Sequence, residues 1–306
     1  MNWLLVFEQS LNGLQLGVLL FLLAAGLTLI FGIMDLVNLA HGSLYMMGAY
    51  FCATFTQWTG SFLAGFALAL PASILLGIVV EVIALRTLYD RNHLDQVLAT
   101  FGLVLFFNEG VRIIWGPQGY NIPLPGFLET HIDLFGIPYS TYRFFILMIG
   151  LIVAVGLYFL VAKSRIGMLI RAGASNREMV SALGVDIRLL YTLVFGLGAC
   201  LAGIAGLLSA AIQTAEIGMG EDILIVSLVV IVIGGIGSIR GSFIAAIMVG
   251  LIDTLGRSFL PDLLKVFLSE AVASTAAPAL SSMMIYLIMA LVLVVRPQGL
   301  FPAQWG

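Results

Sequence analysis

The chain of 306 residues is 61% hydrophobic and only 9% charged, against about 25% charged residues in a soluble domain, so water is not the solvent for most of its surface. A formal net charge of −3 with no basic run excludes the phosphate-tracking surface that nucleic-acid binding requires. The two cysteines, Cys52 and Cys200, lie far apart in apolar stretches, without metal-ligand or redox spacing, and read as small buried hydrophobes; no cofactor or metal is expected.

Long apolar runs follow in chain order at residues 9–34, 38–57, 62–85, 96–115, 142–162, 191–213, 222–239, 241–256 and 281–295. Lipid offers no partner to a free backbone N–H or C=O, and these runs lack the alternation of barrel strands, so they must be helices. At roughly 20 apolar residues per crossing, the expected fold is all-α: a polytopic transmembrane helical bundle of about eight to nine membrane segments. It forms one domain over residues 1–306. The start, Met1-Asn2-Trp3, lacks the cationic region of a signal peptide, so the first run is read as a retained membrane helix.

The second run opens Asn38-Leu39-Ala40-His41-Gly42-Ser43 and reads either as a full crossing or as a broken, re-entrant helix, which leaves the crossing number and the side of the N-terminus open. Polar groups at that depth face a cavity or the bundle interior rather than lipid. Asn38, His41 and Ser43 are therefore candidate translocation-path residues, the alternative being a hydrogen-bonded packing contact between helices. The stretches 31–48 and 233–250 share an apolar helix, a glycine-bearing break and a Gly-Ser opening into the next helix. That is the pattern of an internal repeat, inverted if the second run is re-entrant.

Cations orient the bundle. Lys163, Arg165, Arg171, Arg177 and Arg188 supply five of the 13 Lys and Arg residues, whereas the connection from Gly116 to Tyr142 has none; the first loop is expected in the cytoplasm and the second outside. Arg86, Arg91, Arg240 and Arg296 then fall on the inner side, with Arg257 and Lys265 as exceptions, and the C-terminus is cytoplasmic. Within the loop of about residues 163–190, Ser175 and Glu178 have capping-box spacing, Met179, Val180 and Leu183 share a helical face, and Gly184 stands at the C′ position. Such a face is covered either by lipid headgroups or by a partner protein. The outer connection carries Pro117, Pro123, Pro125 and Pro138 among aromatics and reads as a lid over helix ends or a platform for an external partner. Glu81 with Arg86 and Glu109 with Arg112 read as local pairs near the interface.

A Walker A loop ends in Gly-Lys-Ser or Gly-Lys-Thr, but the two lysines, Lys163 and Lys265, follow Ala162 and Leu264; the chain is not expected to hydrolyse ATP. An ion-coupled secondary transporter would need a carboxylate near the midplane, and Asp35, Glu81, Glu109 and Asp253 all fall near segment ends. For an intramembrane enzyme, His41 has no His or Asp at a recognisable motif spacing.

Four stretches, "GIMDLVNLAHGSLYMMGAY", "SRIGMLIRAGASNREMVSALGVD", "IGGIGSIRGSFIAAIMVGLI" and "VRPQGLF", resemble in order the signatures of the H-type permeases of the branched-chain amino acid (LIV) ABC importers. The resemblance implies a subunit of the bacterial inner membrane that pairs with a homologous second permease, two ATPase subunits and a periplasmic binding protein. It makes the segment with Ser175, Glu178, Met179, Val180, Leu183 and Gly184 the helix seated in an ATPase groove. Relatives on this scaffold are also associated with urea, short amides and aromatic acids. Arg240 stands where the family often has Pro, and Pro302 where it often has Gly.

The orientation is testable with Cys52 and Cys200 replaced by alanine and single cysteines placed at Arg171 or Glu129. A membrane-impermeant thiol reagent added outside should label position 129 and spare position 171; the reverse result would invert the assignment.

Overall fold

The computed structural model describes residues 3–301 apart from Asp90 and Phe135, so the departure at Pro302 lies outside the described residues. Eleven α-helices are described: α1 (Trp3–Met34), α2 (His41–Thr59), α3 (Phe62–Val80), α4 (His93–Trp115), α5 (Thr141–Lys163), α6 (Arg165–Ser175), α7 (Arg177–Ala182), α8 (Ile187–Ala210), α9 (Met219–Gly234), α10 (Ile239–Leu264) and α11 (Glu270–Val295). A hairpin of β1 (His131–Leu134) and β2 (Ile137–Ser140) interrupts the connection between α4 and α5. Among the described residues seven helices are long and apolar enough to cross a membrane: α1, α3 continued to Leu88, α4, α5, α8, α10 and α11. The 19-residue α2 and 16-residue α9 are not among them.

Two helices form the axis of the bundle. From Gly17 to Ile30 every residue of α1 is buried, and so is every residue from Leu201 to Ala210 of α8; a helix apolar on all sides belongs where neighbours surround it. The outer helices carry the opposite pattern, with Ile113 of α4 82% exposed and Val294 of α11 81% exposed. Exposed apolar surface on this scale makes sense with hydrocarbon as solvent. The chain is a multi-pass membrane protein.

Glycines set the spacing of the axis. Gly26 and Gly198 pack α1 on α8, a Cβ on Gly206 would sit 1.8 Å from the Tyr45 carbonyl oxygen, and one on Gly48 would sit 2.5 Å from the Gly203 backbone. Small residues let membrane helices approach at backbone distance, which gives dispersion and Cα–H contacts that lipid cannot match.

The sequence pattern located every membrane helix but not every end. The apolar run starting at residue 281 is the second half of α11, which begins at Glu270; Glu270, Ser274, Thr275 and Pro278 interrupt the hydropathy without breaking the helix. The two stretches compared as a repeat, 31–48 and 233–250, both break at the same end of the bundle, because Asp35, Ile236 and Gly237 line one cavity beside α6 and α7. That pair is therefore not related by inversion.

Substituting Gly206 by alanine should lower the thermal midpoint of the purified protein, since overpacking of this kind costs about 1–3 kcal/mol. Gly110→Ala, where nothing lies within 4 Å of the added carbon, should leave it unchanged. Equal midpoints for the two variants would refute the role of the α2–α8 approach.

Candidate functional site

Where α1 ends, the chain does not stay at the end of the bundle. The Asp35 N–H bonds to the Phe31 carbonyl at 3.0 Å, Asp35 takes φ +51, and residues 35–38 run without regular structure into the turn at Leu39–Ala40 before α2 starts at His41. His41 lies beside Leu23 and Gly26, and Leu23 is about 16 Å along α1 from Met34. α2 itself is continuous from His41 to Thr59, and the irregular backbone before it lies against α4, whose Thr100 hydroxyl is 3.5 Å from the Val37 carbonyl.

A second half-depth start meets it there. After α8 the chain turns back from Ala211 to Gly218, and α9 begins at Met219 behind Gly218 at φ +90, a backbone angle open to glycine. A Cβ on Gly42 would fall 2.2 Å from the Gly220 carbonyl oxygen, and one on Gly220 would fall 2.1 Å from that of Gly42. Only glycine at both positions permits the crossing of the two helix starts.

The structure brings Asn38, His41 and Ser43 together at this crossing, all buried. The His41 Nε2 lies 3.2 Å from the Leu23 carbonyl. A carbonyl only accepts, so Nε2 carries the proton and Nδ1 is left as an acceptor. His41 Nδ1 and both amide atoms of Asn38 have no hydrogen-bond partner among the described residues. Each such buried atom costs about 1–3 kcal/mol, and in a native protein each one asks for an explanation.

At the α6–α7 end, the Asn176 side chain caps α7, its Oδ1 accepting from the Met179 N–H at 2.9 Å. This corrects the expected Ser175 cap: Ser175 still belongs to the last turn of α6, and the extended residue that a cap requires is Asn176, at φ −154 and ψ 95. Glu178 then stands at the second helical position, one short of a capping box, and acts only as a first-turn anion on the helix dipole. The far end matches expectation. Gly184 takes φ +86, its N–H reaches Ser181 and the Val185 N–H reaches Val180, the bonds of a Schellman stop. The apolar face divides: Val180 is 6% exposed and packs inward, while Met179 and Leu183 are 59% and 77% exposed. A cavity of about 540 Å³ joins Asn176, Arg177 and Glu178 to Asp35, at the foot of the broken segment.

One cluster exceeds its sequence reading. Glu81 is fully buried and opens a π-turn (Glu81–Leu85) that continues α3, a distortion common at functional positions. Its carboxylate accepts from Arg86 Nη2 at 3.1 Å, from the Thr192 hydroxyl of α8 at 2.8 Å and from the Tyr89 hydroxyl at 2.5 Å. Burial, and then the bond to Glu81, hold the Tyr89 phenol well above its ordinary pKa. Sequence shows the Glu81–Arg86 spacing, but the tertiary donor Thr192 leaves no local signal. Glu109 and Arg112 do pair, at 2.9 Å, with both more than half exposed, where such a bridge is worth little. The connection between α4 and α5 is tied to the bundle: Tyr120 bridges Ala215 and Thr214 bonds Asn121 at 3.0 Å, while Trp115 Nε1 at the end of α4 donates to Thr54 at 2.8 Å.

Residues 9–293 match the family model described as branched-chain amino acid transport system / permease component. The chain is 30% identical over 269 residues to the high-affinity branched-chain amino acid transport system permease protein BraD of Pseudomonas aeruginosa, covering 83% of this chain and 87% of the relative. It is 28% identical over 276 residues to LivH of Escherichia coli, covering 85% and 88%, and 27% identical over 329 residues to LivM of the same organism, covering 97% and 71%. No solved structure matches it. The chain belongs to the permease-component family of branched-chain amino acid transport systems.

Proposed function

We propose that this chain is the membrane-spanning permease subunit of an ATP-driven importer of branched-chain amino acids in a bacterial inner membrane. It forms the translocation path with a homologous second permease, while two partner ATPases hydrolyse ATP and a periplasmic binding protein delivers substrate. The observation that carries the reading is the group of unpartnered buried atoms on Asn38 and His41 at a helix break, inside a chain of this family. Polar groups at membrane depth mark transport paths, and non-helical backbone is tolerated there where it is enclosed by protein or lines a cavity.

In this reading α2 and α9 each complete a crossing together with the irregular segment before them, giving nine membrane segments, an outer N-terminus and a cytoplasmic C-terminus. The inverted repeat runs from α1 through α3 and again from α8 through α10. Each half is a crossing helix, a return to half depth and a short helix; the reciprocal contacts Gly26–Gly198 and Gly42–Gly220 lie on the axis relating them. The loop of about residues 163–190 couples to ATPase. Met179 and Leu183 give α7 its outward apolar face, and Asn176 and Gly184 stiffen its two ends.

In proteoliposomes containing the complete importer, Asn38→Ala and His41→Ala should each lower ATP-dependent leucine uptake about tenfold without loss of subunit assembly. Unchanged uptake and unchanged coupling ratio would return both residues to helix packing. For α7, Asn176→Ala removes a cap worth about 1 kcal/mol and should weaken coupling mildly. Met179→Asp with Leu183→Asp should yield a permease that inserts normally but retains little ATPase on purification. Full ATPase retention by the double variant would make α7 a lipid-facing helix instead.

A further inference from the structure

A cavity beside the helix crossing has no assigned role. It measures about 680 Å³, within the range of ligand sites of about 300–1,000 Å³. It opens beside the β-hairpin: Gln15, Ile212 and Gln213 line both this cavity and the neighbouring one that touches His131 and Pro138. Its depth reaches Leu20, Tyr45 and Met219. Tyr45 is one turn beyond His41 in α2, and Met219 is the first residue of α9.

The lining of this cavity combines two chemistries. Leu16, Leu19 and Leu20 of α1 contribute apolar surface together with Val226, Val249 and Ile285. The lining also carries four carboxylates, Glu216, Glu221, Asp222 and Asp253, and one guanidinium, Arg257. Not all of them are free. Asp253 accepts Arg257 Nε at 2.9 Å, Ser282 accepts Arg257 Nη2 at 3.0 Å, and Glu221 accepts from Asn108. Among the described residues, the Glu216 and Asp222 carboxylates carry no hydrogen bond or ion pair, and Arg257 keeps Nη1 unused. An independent observation comes from α1: Gln15, 6% exposed, lines the cavity with a side-chain amide that bonds to nothing among the described residues. The amide is reached from the cavity rather than sealed in the core, since it is not among the fully buried side-chain atoms without a partner, and it offers a donor and an acceptor to whatever enters.

We propose that this cavity is the outer station of the path, a site for a zwitterion with an apolar side chain. The branched side chain lies on the leucines of α1, Asp222 and Glu216 receive the ammonium group, and Arg257 with the Gln15 amide receives the carboxylate. The placement rests on the import reading above and adds a substrate site to it. Neither charge alone satisfies the lining: an amine leaves Arg257 Nη1 and Gln15 unmet, and a carboxylate leaves Glu216 and Asp222 facing an added anion.

The test uses the complete importer with Cys52 and Cys200 replaced by alanine and a reporter cysteine at Ser282→Cys, with Tyr286→Cys as a second reporter should the first disturb Arg257. The rate of modification by a small methanethiosulfonate reagent is read with and without millimolar leucine, without binding protein. Leucine should slow labelling severalfold, whereas 4-methylpentanoate, lacking the ammonium, and isoamylamine, lacking the carboxylate, should not. Adding Glu216→Gln with Asp222→Asn, or Gln15→Leu, should abolish the protection by leucine. Labelling of both reporters unaffected by leucine, in a complex that imports leucine normally, would overturn the station while leaving the import reading intact. Protection by leucine in a complex that never accumulates it would instead overturn the import reading. Equal protection by isoamylamine and leucine would replace the zwitterion site by an amine site and overturn the role of Arg257.

Discussion

Hydrocarbon satisfies no backbone hydrogen bond, and most of this architecture follows from how the chain manages two places where its backbone leaves the helix at depth. Residues 35–38 and 211–218 contain stretches whose N–H and C=O groups have no ladder, and each is tied to a neighbouring segment. The first sits against α4, with the Thr100 hydroxyl 3.5 Å from the Val37 carbonyl. The second is stitched to the connection between α4 and α5, the Tyr120 and Ala215 backbones exchanging bonds of 2.8 and 2.9 Å. Contacts of that kind need helices packed close together, which is what the glycines of α1, α2 and α8 provide. Glycine content and helix breaks, separate features in the sequence, have one cause.

That constraint also places polarity. Once a helix begins at half depth, its first turn presents N–H groups that water cannot reach, and the residues beside it are the natural bearers of hydrogen-bonding side chains. Ala40, at the cap of α2, offers none, so Asn38 and His41 stand close to the opening turn without serving it. A side chain retained for packing alone would gain by being apolar. Two neighbouring polar residues with three unsatisfied atoms, beside a crossing that only glycine permits, form an arrangement that a purely structural role leaves costly.

Much of this was legible in the sequence because membrane helices announce themselves by length and hydropathy. The nine apolar runs correspond to α1–α5 and α8–α11, and Asn38-Leu39-Ala40-His41-Gly42-Ser43 marked the break because three polar side chains and a glycine cannot sit in lipid. Less legible were features set by tertiary neighbours or by a single backbone angle. Ser175 and Asn176 are equally good caps by composition, and only the extended conformation of Asn176 decides between them. Met179, Val180 and Leu183 have the spacing of one face, yet Val180 turns inward because α6 and α8 flank so short a helix. The partner of Gly42 is Gly220, 178 positions later, and no local pattern could have joined them.

The same geometry indicates how movement at one end could reach the other. Thr192 lies on the second turn of α8, shortly after the Schellman stop of α7, and its hydroxyl bonds the buried carboxylate of Glu81 at the π-turn of α3. Thr192 thus ties the start of α8 to α3 through a charge-assisted bond, stronger than neutral contacts, and α7 shares a cavity with Asp35 at the start of the irregular segment. A close-packed core passes strain on rather than absorbing it, and with no side chain at either glycine to act as a cushion, a shift of α2 against α9 is felt directly by the backbone next to Asn38 and His41.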